Sequence, residues 1–157
     1  MHLFQSNEFL LHRFYYAFQR RDAAEMGACY HPKATFTDAA FQLHGTDIGW
    51  MWRMLCERST GLEIEYGDVN SEGQTGRVTW DARYIFSQTL RPVHNHVQAY
   101  FTFREGLIFT HHDQFDFWRW SRQALGPVGW LLGWSGFLQN KVRASARQSL
   151  ESFIAGH

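Results

Sequence analysis

The sequence predicts an α+β domain in which helices come first and a curved antiparallel sheet follows. The first sixty residues carry apolar side chains at helical spacing, whereas from Leu62 onward apolar and polar residues alternate with a period of two. The alternating segments are joined by short turns, which is the pattern of hairpin-linked strands in an antiparallel sheet. Strands of roughly a dozen residues are expected to curl rather than lie flat.

Three helices and one short strand are predicted before that change. An apolar stripe at i, i+3, i+4 and i+7 predicts a first helix that ends near residue 21. The stripe consists of Leu11, Phe14, Tyr15 and Phe18. Asp22, followed three residues later by Glu25, has the pattern of a capping box and predicts a second, short helix. A short strand is expected over residues 34–38, and helical spacing predicts a third helix after Gly45.

Four long strands and a C-terminal helix are predicted in the remainder. The strands are expected at residues 62–66, 78–86, 93–104 and 107–118. Glu105 and Gly106 predict a tight hairpin between the last two strands, because glycine tolerates the positive φ that such turns require. The final helix is predicted from apolar residues at i+4 steps, which are Leu138, Val142, Ala146 and Leu150.

Length and composition bound the class of protein. A chain of 157 residues is the size of one domain, and no repeat or linker divides it, so residues 1–157 are interpreted as a single domain. The 15 basic and 15 acidic residues balance, which gives no reason to expect nucleic acid as a partner. Aromatic residues make up 17% of the chain, enough to fill a core or to line a cavity for a small apolar molecule.

The expected location is the cytoplasm. Residues 1–18 include Glu8, His12 and Arg13 and therefore lack the uncharged apolar stretch of a signal peptide. Cys29 and Cys56 have no metal-ligand spacing and are expected to be free, buried thiols in a reducing compartment.

No membrane partner is predicted. No stretch approaches the roughly 20 apolar residues that a membrane-spanning helix needs. Residues 130–134, with the sequence WLLGW, come nearest to a membrane-surface motif. A short, uncharged segment of this kind is expected to be a helix connection packed on the body of the domain.

Three polar residues are predicted to face the apolar interior of the sheet. Alternation places Asn95 on one face of its strand together with Val97, Ala99, Phe101 and Phe103. The next strand places His111 and Asp113 with Leu107, Phe109, Phe115 and Phe117. A buried carboxylate requires partners or a raised pKa, so Asp113 with His111 two residues away is either a general base or a structural pair that holds strands together.

No metal or other cofactor is predicted. His111 and Asp113 alone are too few ligands for a closed zinc site. The opposite face of the sheet carries a polar group that is interpreted as free surface or as the contact of a homodimer formed through the sheet. This group consists of His94, His96, Gln98, Tyr100 and His112. Phosphate-binding glycine loops and serine-hydrolase elbows are absent from the sequence.

A series of short motifs in a fixed order suggests a family. The motifs are YYAF at 15–18, RDAA at 21–24, YHPKATFTD at 30–38, HGTD at 44–47, FREGLI at 103–108 and HHDQFD at 111–116. Their order and spacing resemble the nuclear transport factor 2-like superfamily, which includes SnoaL-like polyketide cyclases and ketosteroid isomerases. The resemblance covers residues 8–118, and the Trp-rich remainder, 119–157, is a helical extension.

The resemblance implies a cone-shaped sheet around an apolar pocket, commonly in a dimer, and cofactor-independent chemistry. Asp38 matches the general base of ketosteroid isomerase. The oxyanion-binding tyrosine and acid of that enzyme fall on Phe14 and Ala99, which cannot donate hydrogen bonds, and this argues against steroid isomerisation by that route. Asp113 falls near the acid/base aspartate of SnoaL-like cyclases.

The sequence therefore favours a proton-transfer enzyme of isomerase, cyclase or hydratase type, acting on a small apolar carbonyl-bearing or polycyclic substrate. The alternative is a non-catalytic binding or dimerisation module of the same fold. The predicted catalytic residues are Asp113, His111, Asp38 and Asn95, and the predicted substrate-binding residues are Phe14, Phe18, Trp52, Trp80, Ala99 and Phe101. An open cavity of roughly 300 Å³ or more that reaches Asp113 would favour the enzyme.

Overall fold

A computed structural model describes the backbone of residues 2–157 and the side chains of residues 7–157. The helices are α1 (His2–Gln19), α2 (Ala23–Ala28), α3 (Thr46–Arg58), α4 (Phe117–Leu125), α5 (Pro127–Leu132) and α6 (Gly136–Ala155). The strands are β1 (Tyr30–Thr37), β2 (Gln42–His44), β3 (Thr60–Glu72), β4 (Thr75–Phe86), β5 (Arg91–Arg104) and β6 (Leu107–Gln114). The α+β prediction is confirmed, with β2 as a strand that alternation did not indicate.

The six strands form one open, curved sheet in the order β2-β1-β6-β5-β4-β3. Neighbouring strands are antiparallel except β1 and β6, which pair in parallel. β3 shifts register against β4 twice, between Thr60 and Glu63 and between Gly67 and Asn70. Such irregularities increase the local twist, so the long strands coil around the helices instead of lying flat.

The first helix fills the concave side of the sheet. Its predicted stripe is buried throughout and contacts the aromatic side chains of the sheet and of α3. The stripe residues are Leu11, Phe14, Tyr15 and Phe18. The predicted start of α2 is also present, since the Asp22 side chain accepts a hydrogen bond from the backbone N–H of Glu25 at 3.1 Å. Cys29 follows α2 and is buried, whereas Cys56 in α3 is half-buried, and both are free thiols.

The last strand is shorter than predicted. β6 ends at Gln114, and the expected continuation to residue 118 is wrong because the chain turns into α4. The Asp116 side chain accepts a hydrogen bond from the backbone N–H of Arg119 at 3.0 Å and caps this helix. The capping interaction outweighs the alternation of Phe115 and Phe117, which continues the strand pattern in the sequence.

A bulge changes which apolar residues of β6 face inward. Thr102 pairs with Thr110 and Phe103 with Ile108, so Phe109 is an extra residue in β6. Ile108 is therefore fully buried, whereas Leu107 and Phe109, predicted to face inward, are half-buried. Phe109 lies beneath the guanidinium of Arg104, at 4.0 Å from the ring centroid.

Helices α4–α6 form the C-terminal extension. In α6, Leu138 and Leu150 are buried, and Val142 and Ala146 of the predicted stripe are half-buried. The expected packing of residues 130–134 on the body of the domain is wrong, because Trp130, Leu131 and Trp134 are exposed. Among the described residues, no helix is both long enough and apolar enough to cross a membrane.

The close contact between α4 and α5 leads to a prediction about stability. A Cβ atom added at Gly129 would lie 1.9 Å from the backbone oxygen of Ser121, a distance that requires the two helices to separate. Gly129→Ala is therefore expected to lower the free energy of unfolding by about 1–3 kcal/mol, or the melting temperature by roughly 3–10 °C. Thermal unfolding followed by circular dichroism measures the change.

Gly136→Ala is the matched control, because a Cβ atom at the start of α6 would meet nothing within 4 Å. Alanine is the better helix former, so this variant is expected to be as stable as the wild type or slightly more stable. Equal melting temperatures for both variants would contradict the described packing of α4 on α5.

Candidate active site

A cavity of about 680 Å³ lies between the concave face of the sheet, α3 and the C-terminal helices. Its walls are mainly aromatic and aliphatic. Three polar groups predicted from the sequence, Asp38, Asn95 and Asp113, line this cavity. The cavity exceeds the roughly 300 Å³ expected of an open substrate pocket. It also reaches Asp113.

A buried chain of hydrogen bonds ends at Asp113. The indole N–H of Trp52 donates to the Tyr30 hydroxyl oxygen at 3.0 Å. The Tyr30 oxygen lies 2.7 Å from Nδ1 of His111, and Nε2 of His111 lies 2.8 Å from Oδ1 of Asp113. Trp80 donates its indole N–H to the same carboxylate oxygen at 3.4 Å. His111 and Asp113 are only 2% and 3% exposed, so few other partners can compete.

The donor and acceptor groups of these side chains determine the direction of each hydrogen bond. With the Asp113 oxygen as acceptor, His111 donates from Nε2–H and its Nδ1 is the acceptor for the Tyr30 O–H. Every donor in this series of hydrogen bonds then has an acceptor, and each hydrogen bond is donated in the direction of Asp113. The arrangement holds the carboxylate in one orientation, with the cavity on its open side.

Parallel pairing of β1 with β6 brings Asp38 beside Asp113. Thr37 pairs with His112, and their side chains meet on the outer face, where Thr37 Oγ1 lies 2.8 Å from His112 Nδ1. Asp113 is the next residue on β6 and Asp38 is the first residue after β1, and both line the cavity. The two carboxyl groups share the cavity wall and are close enough for the charge of Asp113 to raise the pKa of Asp38.

The two carboxyl groups have different environments. Burial, and secondly the negative charge of Asp113, raise the pKa of Asp38 to about 7. Backbone N–H groups of Ala40 and Phe41 donate to Asp38 Oδ1, each at 2.7 Å, and with Arg143 they offset part of this rise in pKa. Near neutral pH, Asp38 thus retains a proton in a substantial fraction of molecules, whereas Asp113 is surrounded by donors.

Asn95 is a third polar residue of the wall that the sequence predicted. It lies on β5 opposite Ala82 of β4 and is half-buried. Its carboxamide makes no side-chain hydrogen bond to the described residues, so both its donor and its acceptor atoms are free for a ligand.

The predicted substrate-binding residues divide into two groups. Phe18, Trp52 and Trp80 line the cavity. Phe14, Ala99 and Phe101 were also predicted to contact substrate. That prediction is wrong, because all three are buried in the core and do not line the cavity. Phe14 and Phe101 pack against the His111 ring, with centroid distances of 5.8 and 4.3 Å.

His111 lies where alternation predicts, buried on the inner face beside Asp113. Its imidazole lies behind Asp113, among aromatic rings, and does not line the cavity. It is therefore a positioning residue that acts through Asp113, rather than a group that meets the ligand.

Sequence reasoning missed one wall of the cavity, which the C-terminal extension supplies. Its lining residues include Phe117, Trp120, Leu125, Val128, Leu138, Lys141, Val142 and Ser145. Trp120 donates its indole N–H to the hydroxyl of Tyr84 at 2.8 Å and joins α4 to the sheet. The i+4 stripe of α6 was the available signal, since an amphipathic helix must cover some apolar surface.

The outer face of the sheet carries a separate histidine group. His94 Nε2 and His96 Nδ1 each lie 3.0 Å from Oδ1 of Asp81. Burial raises the pKa of Asp81, but the two imidazoles outweigh it and the net pKa is lowered. Within the described residues, no three His, Cys, Asp or Glu side chains converge in a way that would hold a metal ion. The homodimer contact on this face stays a prediction.

The fold and the cavity define a class of protein: cone-shaped α+β domains with a pocket on the concave side of the sheet. The family model described as the SnoaL-like domain matches residues 11–111, and the chain belongs to that family. A comparison with curated proteins found no match.

Solved structures of the nuclear transport factor 2-like superfamily share the fold. An LEH-like epoxide hydrolase from Mycobacterium tuberculosis has 18% identity and a TM-score of 0.66, over 84% of this chain and 98% of the other. An NTF2-like protein of unknown function from Burkholderia pseudomallei has 20% identity and a TM-score of 0.66, over 75% and 96%. A protein with a ketosteroid isomerase-like fold from Catenulispora acidiphila, in complex with trimethylamine, has 12% identity and a TM-score of 0.67, over 77% and 95%.

Proposed function

We propose that this protein is a cofactor-independent proton-transfer enzyme of isomerase, cyclase or hydratase type, acting on a small apolar molecule that bears a carbonyl group or fused rings. The observation that carries the proposal is the pair of carboxyl groups Asp38 and Asp113, which line one apolar cavity, with the pKa of Asp38 raised to about 7 by burial and by the charge of Asp113. Carboxyl pairs of this kind divide the acid and base roles between them.

In the proposed reaction, Asp113 is the general base and Asp38 is the general acid. Asp113 takes a proton from the carbon next to the substrate carbonyl, while Asp38 gives its proton to the carbonyl oxygen, which yields an enol. The Asn95 carboxamide can donate to the same oxygen. Return of a proton from Asp113 to a different carbon, with Asp38 recovering its own, completes an isomerisation without net change in either residue.

The same pair can hydrate a substrate. With an epoxide, Asp113 would take a proton from a water molecule whose oxygen attacks one ring carbon, and Asp38 would protonate the ring oxygen as its bond to that carbon breaks. Proton exchange with solvent then restores both carboxyl groups. The general catalytic role is consistent with the SnoaL-like family and with a structural neighbour that is named an epoxide hydrolase. The apolar walls would bind the body of the substrate in either reaction.

Deuterium exchange tests the proposal without knowledge of the natural substrate. α-Tetralone is an apolar bicyclic ketone, and in D₂O the wild-type protein is expected to exchange its C2 protons faster than buffer by about 10²-fold or more. Proton NMR follows the exchange, and hydration of styrene oxide in H₂¹⁸O provides the second assay. Quenching of tryptophan fluorescence measures binding of each probe.

The same measurements decide between the enzyme and the binding module. Binding of α-tetralone and styrene oxide without acceleration of either reaction would contradict the proposed function. The non-catalytic small-molecule-binding alternative would then account for the cavity.

A further inference from the structure

The segment 128–137 exposes a cluster of large apolar side chains, defined here as the α5 patch. Its members are Val128, Trp130, Leu131, Leu132, Trp134 and Phe137, exposed by 50%, 57%, 72%, 40%, 76% and 63% respectively. Single exposed apolar residues are ordinary, but six within ten consecutive residues are a concentration that normally indicates a binding surface.

α5 exposes its large apolar side chains, whereas an ordinary surface helix buries them. Its inward side is formed by Gly129 and by Gly133, which directly follows the helix, and both are buried. A Cβ atom at Gly129 would meet the Ser121 backbone, so this edge excludes larger side chains. Trp130, Leu131 and Trp134 are thereby turned outward, toward solvent.

Two basic side chains, Arg122 and Lys141, lie against aromatic rings of the α5 patch. Residues 117–157 contain five Lys and Arg against one Glu, a net charge of +4, whereas residues 1–116 contain ten against fourteen, a net charge of −4. The Arg122 guanidinium lies 4.1 Å from the Trp118 ring centroid and 4.6 Å from that of Trp130. The Lys141 ammonium lies 5.4 Å from the Phe137 ring centroid.

Tryptophan with leucine and flanking cations is the composition of segments that lie in the interface of an anionic bilayer. The indole rings favour the headgroup level, and the cations attract anionic lipids. From this charge and exposure, we propose that the α5 patch docks the protein on an anionic lipid surface, against the sequence-based expectation of no membrane partner.

The α5 patch is continuous with the cavity. Val128, half exposed in the patch, also lines the cavity, and so does Lys141, which lies over Phe137. Docking would therefore place one wall of the cavity against the bilayer, where apolar ligands concentrate. This placement deepens the proposed function, whereas docking itself does not depend on it.

Vesicle flotation tests the docking. The wild-type protein is mixed with vesicles of phosphatidylcholine alone, or with 30 mol% phosphatidylglycerol. Partition into the anionic vesicles is expected to be about 10-fold higher and to fall in 0.5 M NaCl, because the attraction of basic residues to anionic lipids is screened. A blue shift of tryptophan emission should accompany binding.

A double substitution, Trp130→Ser with Trp134→Ser, is expected to reduce this partition about 10-fold or more, because it removes two exposed anchors. Phe9→Ser, which removes an equally exposed aromatic side chain from α1, is the matched control and is expected to float like the wild type. Since the substituted residues are exposed, circular dichroism should show unchanged folding.

Three results would overturn the docking proposal. The wild type could fail to float with anionic vesicles, or the double variant could float as well as the wild type. Alternatively, sedimentation could show a wild-type dimer that the double variant abolishes, without flotation, and the α5 patch would then be a contact between copies of this chain. None of these assays uses turnover, so a failure of the proposed chemistry leaves the docking result intact.

Discussion

Asp113→Asn is expected to abolish the exchange of α-tetralone protons, with a loss of about 10²–10⁴-fold relative to the wild type. The carboxamide has nearly the same shape and can still accept the hydrogen bond from His111 Nε2–H, but it cannot take a proton from carbon. The loss should therefore appear in the rate of exchange, measured by proton NMR in D₂O, while the affinity for α-tetralone changes only a few-fold.

Asp81→Asn is the matched control for this substitution. Asp81 is also an aspartate in contact with histidines, but it lies on the outer face of the sheet, away from the cavity. Its replacement is expected to leave exchange within about twofold of the wild type. Unchanged exchange in Asp113→Asn would remove Asp113 as the base.

Asp38→Asn is expected to stabilise the protein at neutral and alkaline pH. The pKa of Asp38 is raised from 3.8 to about 7 in the folded state. Between these values the folded protein keeps the proton that the unfolded chain releases, so the free energy of unfolding falls by up to about 1.4 kcal/mol per pH unit. The fall should end above about pH 7, where both states are ionised.

Asparagine at position 38 mimics the protonated acid and can accept the same hydrogen bonds from Ala40 and Phe41. The variant should therefore lack this decline and exceed the wild type on the order of 3 kcal/mol at pH 8, and the two should converge near pH 4. Urea unfolding at several pH values measures the difference.

Asp116→Asn tests whether the effect is specific. Asp116 also accepts a hydrogen bond from a backbone N–H, but its side chain is exposed at the start of α4. This substitution is expected to leave the pH dependence of stability as in the wild type. A pH profile for Asp38→Asn parallel to that of the wild type would show that Asp38 is ionised in the folded protein across this range.

The acid role of Asp38 has its own pH signature. Because the proposed mechanism needs a protonated Asp38, exchange of α-tetralone by the wild type should decline as the pH rises through about 7. Asp38→Asn should lose this decline together with most of the rate.

Local patterns predicted the inward direction of the two residues at the centre of the site. Alternation placed His111 and Asp113 on the apolar face, where both are buried. The same alternation failed at Leu107 and Phe109, since the bulge at Phe109 shifts the phase of β6 by one residue. A single sequence contains no direct signal for an extra residue in one strand, because the bulge depends on the partner strand.

The partners of these residues could not be predicted in the same way. Tyr30 is 81 positions from His111 in the chain, and only the parallel pairing of β1 with β6 brings them together. The sequence indicated no antiparallel or parallel preference for this short strand. Phe14 and Phe101 were predicted to meet substrate, but their rings pack on His111 instead.

Periodicity and turn chemistry by themselves determined that this chain forms an α+β domain with a curled sheet, and which polar side chains its long strands turn inward, because these properties depend on neighbours within a few positions. Tertiary structure alone decided that the C-terminal helices close the cavity, that Asp38 lies beside Asp113, and that the pKa of Asp38 is raised. The reason is physical: desolvation and charge proximity arise from side chains that are distant in the sequence and meet only in the folded protein.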